Sequence, residues 1–259
     1  MASGKIDPMH QFTVEPIGPA LKIGAFDISF TNSALFMVIT LLLIWLFMLG
    51  GMKRQLVPGR WQVMVEGLTG FIQSMVDVNI GPKGKRFAPL IFSLFTFILV
   101  ANFLGLVPLA VIPGMHAFTT TSQFSITGIL AIMSFSIVLI VGFARHGFHF
   151  FSLFVPHGTP LPMIPFIFVV ELLSFLVRPF SLGLRLFVAM TAGHILLKVL
   201  AGFVINSTNA GIGYGLLVGL PSLTLMVGIS ALEILVAVVQ AYVFALLTSL
   251  YINDAVNLH

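Results

Sequence analysis

A chain of 259 residues with 58% hydrophobic and only 8% charged side chains is not a soluble domain, since soluble domains carry about 25% charged residues. With a mean hydropathy of +1.11, the composition implies a polytopic membrane protein. The net charge of +4 comes from 12 Lys and Arg scattered through apolar sequence, which reads as topology-setting loop charge rather than a nucleic-acid surface. The absence of cysteine excludes disulfides, thiolate nucleophiles and Cys-ligated metals.

Residues 1–30 are polar and broken by Pro and Gly. Asp7, Glu15 and Asp27 lie among them, and no basic region precedes an apolar core. A cleavable signal peptide is therefore not expected. Residues 33–49 are uncharged and reach the minimum length of a spanning helix, ending at Gly50-Gly51 and Lys53-Arg54. Over residues 60–78, Trp61, Met64, Val65, Leu68, Ile72, Met75 and Val76 recur at three- and four-residue spacing, with Glu66, Gln73 and Asp77 on other faces. That pattern predicts an amphipathic helix along the bilayer surface. Residues 87–112 give a second span with Asn102 inside it, and 125–143 a third whose only polar groups are Ser and Thr. An amide at such depth serves either as interhelical glue or beside a water path.

Loop charge sets orientation. Lys53, Arg54, Arg60, Lys83, Lys85 and Arg86 fall between the first two spans, and Arg145 follows the third. The loop from Pro113 to Gln123 has no Lys or Arg, and the N-terminal tail has only Lys5 and Lys22. The positive-inside rule then puts the 50–86 connection in the cytoplasm, the N-terminus outside and the C-terminus inside. His146, His149 and His157, spaced by three and eight without Cys or a nearby carboxylate, make a poor metal site and read as surface histidines. The run from Gly81 to Arg86 lacks P-loop spacing and its hydroxyl residue, so no nucleotide site is expected. Asn206-Ser207-Thr208 fits a glycosylation sequon, a pattern too common to carry weight.

Residues 163–205 are apolar without a convincing turn. As one helix they extend about 65 Å, roughly twice the hydrocarbon thickness. Pro179 offers a kink, but no charged loop divides two spans, so a long tilted helix is expected. A second long helix follows over 215–252, after the turn-rich link NSTNAGIGYG. Five ionisable groups sit in or beside this apolar sequence: Glu171, Arg178, Arg185, His194 and Lys198. Ionisable groups at membrane depth are rare and mark functional sites. Glu171, Ser174, Arg178, Ser181 and Arg185 follow each other at intervals of three and four and share one stripe. His194 stands about half a turn away and about 13 Å further on. Glu233 and Gln240, seven residues apart, share a face of the last helix.

If the two helices form an antiparallel hairpin, His194 with Glu233 and Arg185 with Gln240 lie symmetrically about nearly the same point, inside Gly211–Gly215. Two polar pairs thus agree on one register. A His–Glu pair in a membrane suits proton uptake and release, because imidazole exchanges protons near neutral pH. Arginine keeps its proton. It acts instead as a fixed cation that attracts a carboxylate and repels a passing proton. The arrangement reads as two half-paths separated by a cation: His194 and Glu233 outward, Glu171 with Ser174 inward. No carboxylate in the chain is a suitable mobile carrier between them, which places the carrier on a partner. Lys198 is expected to snorkel to the outer interface, and Arg178 to have a structural or inner-mouth role.

PFSLGLRLFVAMTAGHILL around Arg185, ALEILVAVVQAYVFALLTSLYINDA around Glu233 and Gln240, FSLFTFILVANFLGLVP in the second span and HQFTVEP near the N-terminus together resemble subunit a of F-type ATP synthases, the proton-channel family beside a rotating c-ring. The resemblance covers essentially the whole chain. It implies an all-α membrane fold: an outer span, a surface helix, a membrane hairpin and a long tilted helix pair packed against the ring. It implies that Arg185 faces the essential carboxylate of subunit c, with Gln240 beside it. His194, Glu233 and Asn102 fall at positions of the outer half-channel, and Glu171, Ser174 and Ser181 at positions of the inner one. The implied partners are the oligomeric c-ring, a stator stalk of subunit b or b/b′, membrane lipid and, indirectly, the F1 sector. The implied location is a bacterial inner membrane. No cofactor, metal or nucleic acid is implied.

Two departures stand out. Val188-Ala189 follow the RLF where many members have Gly-Asn, so one buried amide is missing. The order His194 then Glu233 reverses that of some bacterial members and resembles mitochondria and their bacterial relatives. The main rival, a proton-coupled secondary transporter, predicts internal repeats around interrupted helices, and no repeat is seen.

Overall fold

In a computed structural model of the chain, the described residues are 13–14, 16–17, 22–23, 26–27, 29–52, 58–107, 119–155, 161–209 and 211–257. Lys53, Arg54, His157, loop residues 113–118 and most of the N-terminal segment lie outside them. The architecture is all-α apart from two antiparallel two-residue strands, β1 (Lys22–Ile23) and β2 (Phe26–Asp27). The helices are α1 (Asn32–Gly51), α2 (Arg60–Ile80), α3 (Ala88–Leu106), α4 (Phe124–His146), α5 (Ile164–Asn209), the single turn α6 (Ile212–Tyr214) and α7 (Leu220–Val256). Five helical stretches among the described residues are long and apolar enough to cross a membrane, and α2 is not one of them. The chain is a multi-pass membrane protein.

Two compact units divide the chain. One comprises Met1–Leu43, Ile98–Gln123 and Phe187–Gln240, the other Ile44–Phe97, Phe124–Leu186 and Ala241–His259. In the first, Phe36 and Thr40 of α1, Ile98, Ala101 and Asn102 of α3, Met190 of α5 and Ala237 of α7 are buried. The interior is apolar but threaded by hydroxyls and one amide. Thr40 answers its own burial by donating to the Phe36 carbonyl at 2.7 Å.

In the second unit, α1 ends against α2 because Gly50 and Gly51 leave room for it. A Cβ at either would strike the side chain of Trp61 or Val65, respectively. Trp61 Nε1 donates to the Phe47 carbonyl at 2.9 Å. The face of α2 turned inward carries Val65, Ile72, Met75, Val76 and Ile80, whereas Trp61 and Met64, expected on the same stripe, are exposed. Val63, Phe71 and Val78 are exposed as well. A helix apolar on both its protein side and its outer side suits a bilayer interface.

After α4 the chain forms a 3-10 helix, Gly147–Phe154, that seats Phe150 and Phe154 beside Phe175 of α5 with centroids 6.2 and 5.3 Å apart. His149 is exposed, while His146 is half-buried with Nε2 3.4 Å from the Val256 carbonyl. Phe150 occupies the space that a side chain at Gly142 would need. Gly142→Val is therefore expected to destabilise the chain by about 1–3 kcal/mol through overpacking. Denaturant unfolding of the detergent-solubilised chain measures this, and an unchanged midpoint would mean that Phe150 is not seated there.

Helix α5 runs for 46 residues, roughly 69 Å at 1.5 Å per residue. It continues through Pro179, which has no N–H to offer the Phe175 carbonyl. The link expected at NSTNAGIGYG is shorter than the sequence suggested. Asn206 to Asn209 stay helical, with the Ser207 and Thr208 hydroxyls turned back to the Val204 and Ile205 carbonyls at 2.8 Å each. The reversal falls at Gly211, whose φ of +114 is open to glycine and strained for other residues. A π-turn, Gly215–Gly219, then leads into α7, with Gly219 so close to Ser207 that a Cβ would lie 2.6 Å from its Oγ.

Candidate functional site

The first unit holds a buried polar cluster centred on His194. Helix α5 presents its imidazole, and α7 presents Glu233 on the same inward face as Ala237, one turn later. His194 Nδ1 stands 2.9 Å from Glu233 Oε1, with the side chains 11% and 2% exposed. The distance is that of an ion pair, yet the angles fall short of a hydrogen bond, and neither carboxylate oxygen has another donor among the described residues. Distance governs the electrostatic attraction, so we take the two as a pair. Gly193 makes the approach possible, since a Cβ there would lie 2.6 Å from Glu233 Oε1.

The other ring nitrogen of His194, Nε2, is hydrogen-bonded to Thr119 Oγ1. Thr119 begins a short stretch, Thr119 to Ser122, in which all four residues are buried. The Ser122 hydroxyl donates to the Thr119 carbonyl at 2.6 Å, and Thr191 donates to the Ser122 carbonyl at 3.3 Å. Gly105 gives Thr119 its room, because any Cβ at 105 would strike it. Asn102 is engaged at both ends of its amide: Nδ2 donates to the Ala237 carbonyl at 3.0 Å and Oδ1 accepts from Thr121 Oγ1 at 2.7 Å. These contacts tie α3 to α7 and to the 119–122 stretch. Thr120 Oγ1 and both Glu233 oxygens are buried polar atoms without a hydrogen-bond partner. Such atoms are costly unless water or a proton reaches them.

Sequence reasoning missed the threonines. Their signal was the run TTTS at 119–122, four hydroxyls beside an apolar span. A membrane chain has few reasons to place them there.

The second unit holds Arg178. Its Nη1 lies 2.9 Å from Asp254 Oδ2 and its Nη2 3.8 Å from Glu171 Oε1. The guanidinium also sits against the rings of Phe175 and Tyr251, 5.5 and 5.4 Å from their centroids. Arg178 is thus held by two carboxylates and two aromatic faces. Asp254 went unrecognised because the hairpin symmetry that pairs His194 with Glu233 sets Arg178 opposite Ser249, more than one turn away.

Arg185 is also in the second unit, and it is exposed, with no ion pair or side-chain hydrogen bond among the described residues. The stripe expected to unite five polar residues divides here. Glu171 and Arg178 are half-buried and engaged with each other, whereas Ser174, Ser181 and Arg185 are exposed together with Val177, Val188 and Ala192. These last six recur at three- and four-residue spacing and make one continuous outward face of α5. Gln240 is half-buried and belongs to the first unit. Lys198 is half-buried on α5.

Comparison with known proteins follows the same lines. The sequence profile of the ATP synthase A chain family matches residues 33–253. The chain is similar to ATP synthase subunit a of Rhizorhabdus wittichii, 66% identical over 258 residues (99% of this chain and 98% of the relative). It is 67% identical to that of Sphingopyxis alaskensis over 258 residues (99% and 98%) and 59% identical to that of Zymomonas mobilis over 265 residues (100% and 99%). With these matches spanning nearly the whole of each chain, the protein belongs to the ATP synthase A chain family.

Proposed function

We propose that this chain is the proton-translocating subunit of the membrane sector of an F-type ATP synthase, delivering protons through two half-channels to and from carboxylates on a rotating c-ring. The observation that carries the reading is Arg185: an exposed arginine without an ion-pair partner among the described residues, within a helix long and apolar enough to cross a membrane. An arginine at the bilayer centre costs about 2.5–3.5 kcal/mol on insertion scales. A carboxylate supplied from outside the chain offsets that cost. The face around Arg185 consists of small or apolar side chains, Ser174, Val177, Ser181, Val188 and Ala192, suited to close packing against a moving helix.

On the outward side, Thr119, His194 and Glu233 form a relay in the first unit. A hydroxyl both donates and accepts, and an imidazole takes a proton on one nitrogen while releasing it from the other. Glu233 is the buried terminus from which a proton passes to the ring. Asn102 holds Ala237 and Thr121 in place around it and is itself a frame rather than a carrier. On the inward side, Glu171 and Asp254 flank Arg178, and their partial exposure, 39% and 40%, suits them to exchange protons with water. Arg185, between Arg178 and His194 in the sequence, blocks a direct leak, because it holds its proton and repels another. A helix of roughly 69 Å fits a hydrocarbon layer of about 30 Å only when strongly tilted. The basic 58–86 region faces the cytoplasm, with the N-terminus outside, and a b-type stalk holds the subunit against rotation.

Because the chain has no cysteine, cysteine crosslinking tests the ring-facing surface without background. Val188→Cys, on the exposed stripe, is expected to crosslink to the c-subunit helix near its carboxylate. Leu186→Cys, at a position 1% exposed, is expected not to. The reverse result would put the ring on another face and defeat the proposal.

A further inference from the structure

We propose that the second unit carries a binding site for an anionic phospholipid headgroup at the basic end of α3 and α4. A cleft of about 640 Å³ is lined there by Pro82, Lys83, Lys85, Arg86, Phe87, Val141, Ala144 and Arg145. Four of these eight residues are cations and none is acidic. All four cations are exposed, and none forms an ion pair among the described residues. Four unneutralised cations around one cavity make a strongly positive site, in which low-dielectric walls focus the field.

Two distant stretches of sequence build the cleft. Lys83, Lys85 and Arg86 lie on the 3-10 helix Pro82–Arg86, which Gly81 makes possible at φ +79, directly before α3 enters the apolar layer. Arg145 is in the last turn of α4, where that helix leaves it. The cations therefore collect at one end of two spanning helices, at headgroup depth. The remaining lining separates a lipid from a soluble anion. Phe87 adjoins α3, and Val141 and Ala144 line the cleft from α4. Their apolar surfaces continue into the spans and offer an acyl chain a wall below the phosphate. Val141 is one turn above Arg145, so one helix provides both the wall and the cation. The volume falls within the roughly 300–1,000 Å³ typical of ligand clefts, and basic pockets between spanning helices on this side of a membrane hold anionic headgroups. Burial of acyl surface supplies affinity, and the cations select the charge. The site shares no residue with Arg178, Arg185 or the His194 cluster and needs none of them.

The test is native mass spectrometry of the full purified chain in neutral detergent, titrated with phosphatidylglycerol or phosphatidylcholine. One phosphatidylglycerol is expected to bind in preference to phosphatidylcholine. Arg145→Gln is expected to weaken it roughly fivefold, as each cation near an anionic surface is worth about that factor. The combined Lys83→Gln, Lys85→Gln and Arg86→Gln variant is expected to lose it. Arg60→Gln, an exposed cation outside the cleft, is expected to bind as wild type does. Because loop cations also set topology, the single Arg145→Gln variant, which leaves the 58–86 region intact, decides the matter if the triple variant does not insert. Equal binding of the two lipids, or equal weakening by Arg145→Gln and Arg60→Gln, would overturn the proposal. Displacement by millimolar inorganic phosphate would do the same, by pointing to a soluble anion. Arg185→Ala is expected to keep the lipid, so failure here and failure of the proton-transport reading are told apart.

Discussion

Arg185→Ala is expected to abolish proton-driven ATP synthesis, lowering it by at least about 100-fold, while the complex remains assembled. The physical case starts from exposure. Arg185 makes no ion pair or side-chain hydrogen bond among the described residues, so removing it leaves no buried partner unsatisfied and should cost little stability. On the proposed function, what is lost is a fixed charge placed where a mobile carboxylate passes. Preorganised charges in water-poor sites are each worth about 10²–10³ in rate. On that reading, without the cation a ring carboxylate is no longer drawn into its ionised form, and a proton can leak from one path to the other. Arg185→Lys is expected to recover only part of the function, since an ammonium yields its proton far more readily than a guanidinium. ATP synthesis in energised membrane vesicles measures the loss, and gel analysis of the complex checks assembly. Coupled synthesis retained by the alanine variant would remove Arg185 from the mechanism.

Glu233→Gln and His194→Ala are each expected to reduce proton flux by about 100-fold, and the exchange His194→Glu with Glu233→His to restore a substantial part of it. Both changes act on one 2.9 Å contact in a buried setting, with Glu233 only 2% exposed. Residues in such contact couple by about 0.5–3 kcal/mol, so the double exchange should fall well short of the summed single losses. Additive losses would mean that the two residues act independently. Thr119→Val extends the test to the third member of the cluster. It removes the hydroxyl at Nε2 while keeping the shape, and the loss of one hydrogen bond, about 1 kcal/mol, predicts a roughly fivefold fall in flux. A Thr119→Ser variant, which keeps the hydroxyl, is expected to behave as wild type does. An equal fall in both would assign Thr119 to packing alone.

The His194–Glu233 contact was legible because antiparallel pairing is arithmetic: two helices joined at a known turn place residues opposite each other by index. The turn itself was visible as Gly211 to Gly215, and the reversal does fall at Gly211. The same arithmetic failed for Arg178, whose partner Asp254 lies five residues beyond the expected position. Index symmetry fixes which helices pair but not how long side chains reach. An arginine spans more than a helical turn, and aromatic faces at Phe175 and Tyr251 guide it. The stripe of five polar residues on α5 was read from periodicity alone. Its division into an engaged pair and an exposed row depends on which neighbours pack alongside, and periodicity carries no information about neighbours.

By itself, the sequence determined the membrane class, the order and rough extent of the helices, and the presence of ionisable groups inside apolar segments. These follow from composition, hydrophobic run length and helical period, all of which are local properties. Tertiary structure alone decided that Thr119 caps the second nitrogen of His194, that the Asn102 amide is spent on Ala237 and Thr121, and that Arg178 is neutralised while Arg185 is left open. Each of these depends on contacts between segments 19 or more residues apart in the chain, or on their absence. Two arginines seven residues apart on one helix have the same local chemistry. Only the packing of other elements around them leaves one held by two carboxylates and the other exposed, with no ion pair among the described residues.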